Sequence, residues 1–200
     1  RASGNGHLSL FVRVPLKGDK PVQVAGNFQL QDSDIELGEG VPWLRKTRGV
    51  LSFTESGMQA SGVSAEIMGG AASISVQTAK NGVVHATVQG RSSVDALRKI
   101  SPHPVLNYLH GATAWDADIV VENKSAQLVI NSNLQGLSSS LPQPFTKLAN
   151  ELMPLRVGKR DTAKGQDLIT ARLGGLLDAR LERRDKNGAM IIRRGTVNFG

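Results

Sequence analysis

The chain has 200 residues, no cysteine, and 24 lysines and arginines against 17 acidic residues, a formal net charge of +7. Without thiols there is no disulfide framework, thiolate metal site or cysteine nucleophile, and no apolar run approaches the ~20 residues of a helical membrane span. The length suits one all-β unit or two small ones, and an aromatic content of 4% beside 22 glycines favours many thin strands joined by tight turns.

The first element is predicted from LSLFVRVPL, where Leu8, Leu10, Val12, Val14 and Leu16 share one side because side chains alternate across a strand. After a KGDK turn, VQVAGNFQL repeats the device with Val22, Val24, Phe28 and Leu30 on that side, so the pair reads as a hairpin. A short strand through Ile35 and Leu37 leads to EGVP and the segment Trp43 to Arg48. GVLSF, ESGMQASGVSAEIMGG and AASISVQTA then continue as a meander, with Ile74, Val76 and Thr78 opposite Ser73, Ser75 and Gln77. VVHATVQG follows, with Val84, Ala86 and Val88 facing the same way.

The clear helical interval is an insertion at about 93–110, SSVDALRKISPHPVLNYLHG. Ser92 or Ser93 can cap it, Val94, Leu97 and Ile100 share a face, and Pro102 and Pro104 divide it into two pieces. Strands resume at ATAWDADIVVEN and QLVINSNLQ, which place Trp115, Ala117, Ile119, Val121, Leu128 and Ile130 on apolar stripes. A loop rich in Pro, Ser and Leu occupies about 136–153, and its PFTKLANELM stretch is expected to form one or two helical turns. A charged, exposed loop, the best candidate linker, is expected at about 156–167. The last forty residues read as three strands, with Asn187-Gly188 supplying a hairpin turn.

Catalytic signals are thin. His7, His85, His103 and His110 lack metal-ligand spacing, and neither a nucleophile elbow nor a phosphate-binding loop is present. Asp32 with Asp34, and Asp116 with Asp118, form same-face pairs that fall short of the six or more oxygens a calcium ion takes. The sequence therefore points to a protein that is not an enzyme, with no catalytic residue, metal or cofactor. Arg180, Arg183, Arg184, Lys186, Arg193 and Arg194 form the strongest basic cluster. No tyrosine or tryptophan accompanies them as a stacking platform, so the cluster reads as a solvated rim with weak attraction to anionic headgroups, and nucleic acid is not an expected partner.

The apolar face itself remains. Some ten strands each offer a stripe of Val, Ile, Leu or Ala to one side, and the short helical pieces are too few to cover it. Either the sheet folds on itself as a sandwich or barrel, or it stays an open trough covered by an apolar ligand. Small side chains along the midline favour the trough.

In order, LSLFVRVPL, VQVAGNFQLQDSDIEL, GVLSFTESGMQASGVSAEIMGG, HGATAWDADI and SNLQGLSSSLPQPFTK resemble the large AsmA-like envelope proteins of the YhdP type. The resemblance implies that residues 1–200 are one segment of a mainly β, long curled antiparallel sheet forming an open hydrophobic groove. It further implies a periplasmic location, within an inner-membrane-anchored protein of a Gram-negative bacterium, and conduction of phospholipid between the two membranes. Leu10, Val12, Val14, Val22, Val24, Phe28 and Leu30 would then line the groove, continued by Ile74, Val76, Val84 and Val88 and by Ile119, Val121, Leu128 and Ile130. Leu134, Leu137, Leu141 and Phe145 would form a lid or seal the groove edge, since Pro142 and Pro144 deny ladder hydrogen bonds. Expected partners are phospholipid, the inner membrane through an anchor outside the segment, and a periplasmic or outer-membrane protein. The alternative is a structural or protein-interaction β-sandwich module of the envelope.

Overall fold

The computed structural model describes residues 2–16, 22–36, 42–123 and 125–200. The KGDK turn, Leu37 and the first three residues of EGVP lie outside them. Within the described residues one antiparallel 13-stranded sheet accounts for most of the chain. Its strands are β1 (Ala2–Arg13), β2 (Gln23–Ile35), β3 (Leu44–Thr54), β4 (Gly57–Ile67), β5 (Gly70–Thr78), β6 (Val84–Ser93), β7 (Leu109–Glu122) and β8 (Ser125–Ser132). The short β9 (Leu137–Ser139) pairs only with β7, and β10 (Leu155–Ala163), β11 (Gln166–Leu173), β12 (Leu177–Lys186) and β13 (Ala189–Phe199) complete the order. With β9 set aside, neighbours in sequence are neighbours in the sheet, and β1 and β13 do not meet, so the sheet is open.

Tight hairpins make this order possible. Met68-Gly69 and Asn187-Gly188 each place two consecutive residues at positive φ (49° and 71°, 58° and 85°), the backbone twist that two-residue hairpin turns require. Bulges recur between Leu30 and Ser33, Arg48 and Leu51, and Ala60 and Val63. A bulge bends its strand and raises the local twist, which keeps so broad a sheet from lying flat.

Aromatic rings lie over glycines of the preceding strand in three places. Phe28 covers Gly6, Phe53 covers Gly26 and Trp115 covers Gly90; a Cβ at any of these glycines would run into the ring. The missing side chain lets the ring lie down on the sheet, so few aromatic residues cover much backbone.

The helical insertion forms as two pieces, α1 (Val94–Ile100) and a 3-10 turn at Pro104–Tyr108. Of the two candidate caps it is Ser93 whose hydroxyl accepts from the Ala96 N–H (3.2 Å), while Ser92 accepts from Trp115 Nε1 (2.9 Å). Val94 is buried and Leu97 half-buried, but Ile100 is exposed.

Three local expectations differ from the structure. PFTKLANELM forms no helix, because Ser139 and Lys147 exchange both backbone hydrogen bonds (2.8 and 3.1 Å) and hold the chain extended. The segment expected as a charged linker is β10 and the start of β11, a central ladder between β8 and β12. Its charges alternate with Leu155 and Val157, which masks the strand in a plain reading of polarity. Val14 and Val22 fall just outside β1 and β2.

Candidate functional site

Register decides which side chains line up across the sheet. Leu8, Phe28, Leu51, Ala60, Val76 and Ala86 stand side by side on six strands, and Ile119 and Leu128 extend the row. A parallel row runs Val63, Ile74, Val88, Ala117 and Ile130, then Val157, Ala171, Ala179 and Val197. A single face is thus apolar across nearly the whole sheet, as a one-residue slip anywhere would prevent.

Cover on that face is uneven. Ile74, Val88 and Ala117, with Ala60, Val63, Ala65 and Trp115, form the buried core, and Val76, Ile119, Leu128 and Ile130 pack against it. Val24, Phe28, Leu30 and Val84 are half-buried. Leu10, Val12 and Val14 stand 55%, 49% and 58% exposed at the first strand, with Val22 and Val121 also exposed. No strand packs over β1, so its apolar side chains lack a protein partner among the described residues.

The row through Leu128 meets Lys159, not another aliphatic residue. Lys159, Asp161, Asp167 and Arg183 share the apolar side by alternation with Val157, Ala171 and Leu181, and they form a closed ionic group. Arg183 donates to both Asp167 oxygens (2.9 and 2.6 Å), and the Lys159 ammonium lies 3.5 Å from Asp161 and from Asp167. Asp161 also accepts from the Ala126 N–H (2.9 Å). Asp167 is buried, and the Arg183 hydrogen bonds hold its carboxyl below the usual carboxylate range against the opposing effect of burial. Arg183 is therefore not part of a solvated basic rim. On β10 to β13 the apolar track narrows toward Leu155, Leu173, Leu177 and Phe199, beside the long loop.

At that margin the loop residues converge. Leu134, Leu137, Leu141 and Phe145 line one cavity of about 560 Å3 with Val94 and Leu97 of the helical insertion. The sheet contributes Trp115, Ile130, Leu155, Val157 and Leu173 to its wall. Ile130 and Val157 belong both to the cavity and to the apolar row, so the chamber adjoins that row. Besides the pairing of β9 with β7, the loop is held by Gly136 N–H to Ala149 C=O (2.7 Å), Ser140 N–H to Tyr108 C=O (2.8 Å), and an edge-on contact of Phe145 with Phe199 (6.4 Å between centroids). Gly136 sits at φ 88°, with Ala112 C=O where a Cβ would project.

Lys147 escaped the sequence reading and is the polar residue that stands out in this wall. It is 2% exposed, and its ammonium donates to Leu137 C=O (2.7 Å) and Leu148 C=O (2.9 Å). Burial pushes its pKa down, with Glu151 opposing. A lysine two residues past Phe145 in an unpatterned loop carries no sequence signal of burial.

Three of the four aspartates in the acidic pairs make structural hydrogen bonds. Asp32 takes both of its hydrogen bonds from Arg48 (2.6 and 2.8 Å), Asp34 accepts from the Lys46 N–H, and Asp116 accepts from Asn131. His103 caps the 3-10 turn through Nδ1.

The family of the YhdP protein matches the chain over residues 1–200. No curated protein and no solved structure matches it. The chain belongs to the YhdP family, a family of bacterial envelope proteins whose membership points to lipid transport in general.

Proposed function

We propose that this YhdP-family segment holds phospholipid acyl chains on its apolar face and conducts phospholipid across the periplasm between inner and outer membranes, within a protein anchored in the inner membrane. The observation that carries the reading is the register. Aliphatic residues align strand after strand on one face, and at β1 they stand half-exposed with no strand over them among the described residues.

The role is non-catalytic. Each methylene kept from water is worth ~0.8 kcal/mol, so the interchangeable Leu and Val side chains that stand exposed along β1 hold hydrocarbon with similar strength at successive positions. That evenness is what movement along it requires. Headgroups stay solvated beyond the strand ends. The sandwich alternative needs a second layer, and the strands pair instead in one sequential sheet.

Protein purified without detergent, extracted and examined by mass spectrometry, is expected to yield phospholipid in near-stoichiometric amount. Protein that remains folded and lipid-free from cells with normal phospholipid content would overturn the reading.

A further inference from the structure

We infer that the chamber beneath the long loop is a distinct binding site for a single-chain fatty carboxylate, with Lys147 receiving the carboxylate. The inference rests on the reading that this face takes hydrocarbon, and adds to it a class of ligand and a residue that selects it.

Two features of the chamber set the occupant. Its wall is mostly aliphatic and aromatic, the Ser92, Thr113, Ser132 and Ser139 hydroxyls in it being engaged in hydrogen bonds within the protein, and at about 560 Å3 it falls within the range of pockets that enclose one small ligand. Such a wall retains an apolar chain and rejects a bulky polar head. Against this background stands one ammonium that is 2% exposed.

An ammonium has three N–H donors. Leu137 C=O and Leu148 C=O take two, and among the described residues no ion pair reaches Lys147 Nζ, Glu151 acting on it only as a nearby charge. A charge so placed is costly unless paired, and backbone carbonyls carry only partial charge. One remaining donor suits one carboxylate oxygen. A phosphate, with three oxygens demanding donors, would be left mostly unsatisfied there.

The chamber's position gives the chain a route. Because Ile130 and Val157 line both the cavity and the open row, a tail can enter from the apolar face while the head stops at the loop.

The test uses delipidated protein and the fluorescent fatty acid cis-parinarate beside its methyl ester, which has the same chain without the charge. Parinarate is expected to bind at least about tenfold more tightly, the scale of a charge-assisted hydrogen bond. Lys147→Met should erase that difference, the ratio of the two affinities within the variant being the readout, since the substitution also alters the wall that both probes touch. Leu97→Trp, which fills the chamber and leaves Lys147 in place, should weaken both probes. Equal affinities in the unmodified protein overturn the inference without recourse to any variant, as does a difference that survives Lys147→Met or a lysophosphatidate that outcompetes parinarate. If phospholipid still copurifies when parinarate shows no preference, only this inference falls. If neither lipid nor probe binds, the proposed function falls with it.

Discussion

Strands β1 and β2 and strands β5 to β7 carry the same alternation on the same face, yet Leu10 is 55% exposed and Ala117 only 4%. In the central strands neighbouring side chains meet, with Trp115 lying over Gly90 and α1 and the long loop covering one margin. At β1 only β2 lies alongside, and among the described residues no strand or helix lies above. Binary pattern therefore says which way a residue points, not what it meets there. A central apolar residue is structural, and a flanking one is available to a ligand.

The widest separation between the two regions should come from a buried charge. Ile74→Asp is expected to cost about 4 kcal/mol or more, enough to unfold a marginal sheet. Leu10→Asp should cost under about 0.5 kcal/mol, as for an exposed position, and still reduce copurified lipid. Urea denaturation and lipid analysis on the same preparations check both. Equal destabilisation would erase the distinction between filled centre and bare flank.

Next in size is the ionic group that interrupts the apolar track. Arg183→Ala should destabilise by about 3 kcal/mol, Lys159 keeping the Asp167 carboxylate from being wholly unpaired. Because the pKa of Asp167 is depressed in the fold, its contribution is full above the ordinary carboxylate value near ~3.9 and is lost as pH falls through the folded value. Asp167→Asn should accordingly flatten the acid limb of the stability curve. An unchanged acid limb would mean the group does not hold in solution.

A smaller contrast tests the rings over glycines. Trp115 is buried and tied to Ser92, so Gly90→Ala must push a ring that has nowhere to go and should cost about 1–3 kcal/mol. Gly6→Ala meets the outer end of the half-buried Phe28 ring, which can swing into the open, and should cost under about 1 kcal/mol. Thermal melts of the two variants rank them; the reverse order would put the tight packing at the wrong end of the sheet.

Much of the architecture was legible because period-2 stripes and turn pairs are local signals. Val76 and Val84 face the same way in the sequence and in the sheet, and Asn187-Gly188 turns the last hairpin as its residue types require. The order of strands followed because short connections leave a meander little choice. Three features were not legible. Lys159 and Arg183 looked like solvent-facing charges, since nothing local announces a partner on another strand. β10 looked like a linker because its outward positions are basic. PFTKLANELM has helical spacing, but pairing of Ser139 with Lys147 across the loop overrides it. The loop leucines were singled out for their misfit to any regular element, and the structure gathers them on one cavity.

One side of the sheet, and not the other, is expected to face hydrocarbon. Leu10 and Phe11 are adjacent, comparably exposed at 55% and 59%, and point to opposite sides of β1. A photo-crosslinking amino acid placed at each in turn, irradiated in cells and read by mass spectrometry, is predicted to give phospholipid adducts at position 10 and few at position 11. Equal yields at both, or none at position 10 in well-folded protein, would contradict it.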